Sequence, residues 1–369
     1  MPHDFSTSDH AVSLDELNGA GKSPAFDQAV DNGDIEDFQV IYRRGDEETI
    51  LARPSRAIYF GDPELYRQEA AIFEQLERSD VLNLSQFPDN DRVFSELKAC
   101  CRNGFAIPFV GAGMSVSAGC LSWRGYLLSL AQKANLDAGD IQTRLDEAND
   151  YEGVMEDVLR ALGEPRFERD FERDFKAADD LSDSAVALLP QIFGRCVVTT
   201  NFDRVVEDTW RDANKNFREK VFGRGNTSTF FRAVTSGERY LLKLHGNLDS
   251  PAERVLRRTE YDAAYGSQTN PIDFDCPLPK ILKRLFMSYS FVFLGCSLTA
   301  DRTIQTFTRV CAEEGHGNLP HHFAILEYPD DFTAQGALNG RLAEAHITPL
   351  WYPEGEYGSV ARILQLLLA

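Results

Sequence analysis

Four short stretches of this sequence end an apolar run with residues able to do chemistry: Gly111-Ala112-Gly113-Met114-Ser115, Thr199-Thr200-Asn201-Phe202-Asp203, Lys243-Leu244-His245-Gly246 and Gly295-Cys296-Ser297-Leu298. Glycines after FAIPFV allow a backbone to approach a pyrophosphate, and a helix N-terminus behind them offers N–H groups and a positive dipole end. The usual dinucleotide fingerprint, G-x-G-x-x-G, would need glycine at 116, where valine stands. Asn201 and Asp203 suit ribose hydroxyls, a carboxamide or a water; the same residues would also make an Asx turn capping the helix DRVVEDTW. Of seven histidines, His245 is the one where an apolar strand runs into glycine. An unperturbed imidazole suits a general base at neutral pH, and a hydrogen-bonded core histidine is the structural alternative. Gly295 and Ser297, followed by Thr299-Ala300-Asp301-Arg302, form a second turn for phosphate or ribose. Cys296 reads as a small buried residue rather than a nucleophile, since no second histidine lies near it in sequence.

Those turns need strands behind them. FAIPFV, RCVVTT (195–200), YLLKLH (240–245), SFVFLG (290–295) and HFAILE (322–327) are short and apolar, as buried parallel strands are, with functional residues at their C-terminal ends. Helical stretches at 123–136, about 150–193, 277–288 and 301–314 separate them, which predicts a Rossmann-like α/β domain with helices on both faces. The catalytic domain is placed at 91–369, with a helical insert at about 126–193 carrying a Phe167, Phe171, Phe175 stripe. Residues 38–90 form a small α+β accessory region. There QVIYRR, TILAR and RAIYF read as strands, and PELYRQEAAIFEQLER reads as a helix with Leu65, Ile72, Phe73 and Leu76 on one stripe. Residues 1–37 read as an acidic arm, solvated or ordered by assembly.

The net charge of −20 and pI near 4.8 argue against direct nucleic-acid binding; Arg254, Arg257 and Arg258 make only a short basic cluster. The seven cysteines include no C-x-x-C pair, which argues against a zinc ribbon and a disulfide framework and for a reducing, cytoplasmic setting. The start lacks the form of a signal peptide, and no apolar stretch approaches the roughly 20 residues that span a bilayer.

In this order, the four stretches resemble the sirtuin (silent-information-regulator) family of NAD-consuming enzymes. Gly119-Cys120-Leu121-Ser122-Trp123-Arg124-Gly125 adds to the likeness: it is similar to the family's G-I-P-D-F-R-G segment, with Trp123 for the aromatic residue and Ser122 for the aspartate. The resemblance covers about 104–330. It implies that NAD is a substrate rather than a recycled cofactor, with Gly111, Ala112, Gly113 and Ser115 around the pyrophosphate. It places Trp123 and Arg124 at the nicotinamide side, Asn201 on the nucleophile or ribose, and Asp203 on the carboxamide. His245 becomes the base; Gly295, Ser297 and Glu327 fall to the adenosine side.

Sirtuin deacylases carry a four-cysteine zinc module after H-G. Here NLDSPAERVLRRTEYDAAYG follows, without a cysteine pair. Nothing obvious then frames an acylated peptide, and water remains as the nucleophile. The chain therefore resembles the bacterial branch that hydrolyses NAD to nicotinamide and ADP-ribose in antiphage defence. That branch implies a regulated homo-oligomer, with a HerA-type ATPase or another regulatory protein as partner. A deacylase or ADP-ribosyltransferase, or a non-catalytic NAD or ADP-ribose sensor, stays open, as does a cyclic product.

Overall fold

The computed structural model describes residues 22–35, 40–44, 47–51, 53–175, 180–222, 236–298 and 301–368. The chain divides into two compact units between Val81 and Leu82.

In the smaller unit, helix α1 (Pro24–Asn32) lies inside the segment expected to be an arm. Its signals are local: Ser23 caps it, Pro24 stands in the first turn, and Gly33 closes it at φ 76°. Residues 1–21 and 36–37 of the arm lie outside the described residues. Strands β1 (Ile41–Arg44) and β2 (Glu47–Ile50) form the expected antiparallel pair. RAIYF is not a third strand but part of helix α2 (Pro54–Gly61). Pro54 opens it, the Ser55 N–H donates to Asp31 at 2.9 Å, and Ile58 and Tyr59 are buried. Burial against neighbours outweighs the strand propensity of its side chains. Helix α3 (Pro63–Val81) keeps half of the expected stripe: Leu65 and Phe73 pack against the core beside the buried Tyr66 and Ala70, whereas Ile72 is 52% and Leu76 65% exposed. Tyr66 sets that face. Its ring meets Phe26 and Tyr59 edge-on at 5.3 and 5.0 Å, and its hydroxyl accepts from the Ser23 N–H and donates to Asp27.

The larger unit begins with helix α4 (Asn90–Arg102) and strand β3 (Ala106–Val110). Helices α5 (Ala112–Val116), α6 (Trp123–Lys133), α7 (Ala138–Asp146), α8 (Tyr151–Leu162) and α9 (Glu164–Asp174) follow. Then come β4 (Cys196–Thr199), α10 (Val205–Asp212), β5 (Glu219–Phe222), β6 (Tyr240–Lys243), α11 (Arg258–Tyr265) and α12 (Pro277–Ser288). The unit closes with β7 (Ser290–Leu294), α13 (Arg302–Glu314), β8 (His322–Tyr328) and β9 (Ile347–Pro353), with a last helix over Gly358–Leu368. Among the described residues the strands form one seven-stranded sheet, ordered β5-β6-β4-β3-β7-β8-β9, with every pairing parallel. The fold is Rossmann-like. Sequence patterning finds the five inner strands and misses both edges. β9 carries Pro349 and Pro353, which an edge strand tolerates and a central one does not. The Phe167, Phe171 and Phe175 rings are buried in the core of the inserted helices, together with Phe202, Leu248 and Leu256 from outside them.

Register assembles the site. Val110 pairs with Thr199 and Leu294, and Thr199 pairs with Lys243. Four strands thus end on one row, and each of the four stretches leaves the sheet there. The turns after β3 and β7 then touch. The Gly111 and Gly113 N–H groups donate to the Leu294 and Gly295 carbonyls at 2.8 and 2.9 Å. A Cβ on Gly111 would lie 2.4 Å from the Gly295 oxygen; one on Gly295, at φ 63°, would lie 2.4 Å from the Met114 nitrogen. The glycines exist here to let two backbones meet. Gly295→Ala should therefore cost on the order of 3 kcal/mol, as backbone strain and overpacking add. Gly317→Ala, with open space around it, should stay within about 0.5 kcal/mol. Urea unfolding midpoints check this; equal midpoints for the two variants would refute the close approach.

Candidate active site

Asn201 closes a circuit between the first two turns. Its side-chain Nδ2 donates to the Gly111 carbonyl and to Ser115 Oγ, both at 3.0 Å, while its backbone N–H donates to Thr199 Oγ1 at 3.0 Å. Thr199 in turn donates to the Val110 carbonyl at 2.6 Å. Both amide hydrogens are spent, so Oδ1 is the atom left to meet a ligand. Ser115, also expected at the pyrophosphate, is buried instead and links Asn201 to Asp203 by its own hydrogen bond. Asp203 is buried, and its Oδ1 accepts from the Val205 N–H at 3.0 Å, an Asx turn at the start of α10. Desolvation raises its carboxyl above the usual range, against the pull of Lys243 and the hydrogen bonds it accepts.

Lys243 is the residue that sequence reading quoted and gave no work. It is 0% exposed. Its Nζ donates to the Phe202 carbonyl at 3.1 Å, to the Asp203 carbonyl, to Glu207 Oε1 at 3.0 Å and to Asn247 Oδ1 at 3.2 Å. One ammonium thus ties the turn after β4 to the turn after β6, and the Leu248 N–H adds a bond to the Phe202 carbonyl. The signal was available: a lysine inside the apolar run YLLKLH must find internal partners.

His245 leaves β6 half-buried, and burial pushes its imidazole down to about 4. The ring is therefore neutral at pH 7 and a weaker base than an unperturbed histidine. Its Nε2 lies 2.9 Å from the Tyr265 hydroxyl, which lies 3.1 Å from Thr303 Oγ1. Tyr261 packs edge-on against it at 5.2 Å. With Nε2 donating to Tyr265, Nδ1 keeps a lone pair for a hydroxyl or a water. Nothing local in the sequence announces Tyr261, Tyr265 or Thr303. Next to this group, Cys296 stays as expected: its Sγ lies against the Phe109 and Leu294 carbonyls, and desolvation drives its thiol upward.

Trp123 and Arg124 open α6, where Ser122 accepts from the Gly125 N–H at 3.1 Å. Serine and aspartate cap a helix alike, so the change from the sirtuin aspartate keeps the turn. Trp123 packs on Phe202 at 5.5 Å, which brings it beside Asn201. Arg124 is half-buried and makes a two-pronged pair with Asp146 at 2.7 Å per contact. Arg254, expected in a basic surface cluster, is 1% exposed. It donates to the Asn247 and Leu248 carbonyls and to Glu168 at 2.7 Å, and stacks on Phe171 at 4.3 Å. Arg257 pairs with Glu164, and Arg258 with Asp150 at 3.1 Å. The basic cluster is thus turned inward onto the inserted helices.

Ala112 is half-buried, Gly113 and Ser297 are exposed, and Thr299 and Ala300 lie outside the described residues. Glu327 stands two residues beyond Ile325, which pairs with Leu294 on the row, and its Oε1 accepts from the Gly355 N–H at 2.6 Å. It is three strands from β4 and shares no hydrogen bond with Asn201 or His245. Among the described residues, no three His, Cys, Asp or Glu side chains are arranged to hold a metal ion, and no helix is long and apolar enough to cross a membrane.

In open parallel α/β sheets the crevice at the carboxyl ends of the strands is where ligands commonly bind, and here that crevice gathers an asparagine, a histidine and two glycine turns. The family model of the SIR2-like domain matches residues 195–350. It is 27% identical over 290 residues to the NAD(+) hydrolase ThsA of Cytobacillus dafuensis, covering 74% of this chain and 54% of that protein. Against the NAD(+) hydrolase ThsA of Bacillus cereus (strain MSX-D12) the identity is 24% over 245 residues, 66% of this chain and 48% of the relative. The chain spans about half the length of the curated relatives it matches.

Removing the Lys243 ammonium alone should be costly, because Glu207 would keep a buried charge without a partner. Lys243→Met is expected to lose about 3–5 kcal/mol in urea unfolding. The double variant Lys243→Met/Glu207→Leu should lose less than the single one. A double variant that loses the sum of the two single changes would show that the ion pair is not what binds the turns.

Proposed function

We propose that the chain cleaves the nicotinamide–ribose bond of NAD with water, releasing nicotinamide and ADP-ribose. The observation that carries this is the row itself: Asn201 and His245 leave adjacent strands at the level of the two glycine turns. A dinucleotide laid across the row would place its nicotinamide ribose by Asn201, His245 and Trp123. Its pyrophosphate would lie over Ala112 and Gly113, and its adenosine toward Ser297 and Glu327. Asn201 Oδ1 would accept from the ribose or the water and so fix the angle of attack. His245 would act as the base on a ribose hydroxyl or on that water. Trp123 and the phenylalanines beneath it would keep stray water from the oxocarbenium-like centre. The names of the curated relatives support the reaction.

An unrestrained NAD hydrolase would exhaust its host. We therefore read the chain as a regulated effector, in keeping with the antiphage branch it resembles, acting as a homo-oligomer with a regulatory partner such as a HerA-type ATPase. Residues 1–90 and the inserted helices are the surfaces offered for that control. The test is to incubate the full chain with NAD, with and without an acyl-lysine peptide, and follow both products. Peptide-independent ADP-ribose is expected. Product that requires the peptide would favour a deacylase, and silence under every activating condition a sensor. Asn201→Ala and His245→Ala should each lower turnover on the order of 100-fold. Undiminished turnover in His245→Ala would remove the histidine from its role.

A further inference from the structure

His245 sits in a slot built by the end of one helix. Its carbonyl accepts the Val255 N–H at 2.9 Å, which pins the backbone beneath the ring. Tyr261 and Tyr265 stand one turn apart on α11 and stack on each other, with ring centroids at 6.0 Å and planes 19° apart. Both meet the imidazole edge-on, at 5.2 and 6.0 Å. Arg302 fixes that helix end. It donates to Asp262 at 2.7 Å and to the Gly266 carbonyl at 2.8 Å, and its guanidinium lies 5.6 Å from the Tyr261 ring. The imidazole has little room to turn, so what it can do depends on which nitrogen carries its proton.

Two contacts constrain that proton. Nε2 lies 2.9 Å from the Tyr265 hydroxyl, which lies 3.1 Å from Thr303 Oγ1. Tyr265 is 0% exposed, and its phenol has a single hydrogen to give. If the phenol donates to Nε2, Nδ1 must carry the imidazole proton. Among the described residues, nothing accepts a hydrogen bond from Nδ1. If Nε2 donates to the phenol instead, the phenol passes its own hydrogen to Thr303, and Nδ1 keeps a lone pair. An N–H without an acceptor is rarer in folded proteins than an acceptor without a donor, which favours the second pattern. Burial lowers the imidazole to about 4, so at pH 7 it carries one proton and not two.

We propose that Tyr265, backed by Thr303, is a positioning residue that takes the Nε2–H of His245 and so makes Nδ1 the basic atom of the site; this rests on the NAD-cleaving reading above. The step balances. The C1′–N bond breaks, and its electron pair neutralises the nicotinamide ring nitrogen. The water oxygen bonds to C1′, and its proton, directly or by way of a ribose hydroxyl, ends on Nδ1. The imidazolium so formed keeps its Nε2–H on the phenol oxygen, an acceptor already in place. A fixed acceptor behind an imidazole holds the working tautomer and steadies the charge that develops.

Nitrogen NMR of the full chain, isotopically labelled at histidine, reads the tautomer at pH 7. The His245 signals are assigned by their loss in His245→Ala. A protonated Nε2 and an unprotonated Nδ1 are expected. Tyr265→Phe keeps the stack on Tyr261 and removes the phenol. Its His245 should move the proton to Nδ1, while kcat falls on the order of 10-fold and KM stays within about threefold. The double variant Tyr265→Phe/Thr303→Val leaves no hydroxyl of the pair without a partner and should match the single one; melting temperatures verify that both are folded. Wild-type protein with its proton on Nδ1, or phenol-free variants with undiminished kcat, would overturn the role of Tyr265 and leave the NAD reading standing. Wild-type protein that never releases ADP-ribose would overturn the NAD reading and, with it, the use of the tautomer in that reaction.

Discussion

A single buried ammonium holds this site together. Lys243 sits inside the sheet and satisfies oxygens from two separate turns, one bearing Asn201 and the other following His245. A charge in that position has no solvent to fall back on, so its geometry is imposed by the need of its three N–H donors for oxygen partners. The Phe202 carbonyl, which Lys243 and the Leu248 N–H share, lies between Asn201 and Asp203. Moving that peptide would move the asparagine. The arrangement of the two groups proposed to act on NAD is therefore a consequence of how one lysine is neutralised.

The second constraint is steric. Two strand-end turns meet so closely that neither Gly111 nor Gly295 has space for a Cβ. The Gly111 N–H and the Gly295 C=O are consumed in the contact, which separates this loop from the dinucleotide fingerprint more clearly than Val116 does. A loop that gives the Gly111 and Gly113 N–H groups to its neighbour has fewer of them for a pyrophosphate. It fixes instead where Asn201 can hang, because Asn201 donates to the carbonyl of Gly111 itself.

Much of this was legible in the order of residues, and the reasons differ by case. The inner strands declare themselves because burial on both faces demands unbroken apolar runs. The four functional stretches declare themselves because a polar residue after such a run must lie at a sheet end. Two edges and one helix were hidden: β9 by its prolines, and α2 because its isoleucine, tyrosine and phenylalanine favour strands when read singly. The face of α3 is turned only in part from the expected one, since aromatic packing around Tyr66 keeps Leu65 and Phe73 at the core and leaves Ile72 and Leu76 exposed. Tyr265 and Thr303 had no local signal at all. They reach His245 only through tertiary packing, across separations of 20 and 38 residues along the bonded chain.

The distribution of charge ties the inserted helices to the sheet unevenly. Near Asn247 the attachment is buried: Arg254 spans two carbonyls, Glu168 and the face of Phe171, beside a core that includes Phe202. Further out, Arg257 and Arg258 pair with Glu164 and Asp150 on side chains that are partly exposed, where each pair contributes about 0–1 kcal/mol and weakens with salt. The insert is thus pinned at one end by packing and held at its rim by screened charges. Arg124 follows the same logic: its guanidinium is already paired with Asp146, so it can face an anionic ligand only as part of that pair. Trp123, packed on Phe202, belongs to the fixed end instead, and it is the fixed end that carries the wall beside Asn201.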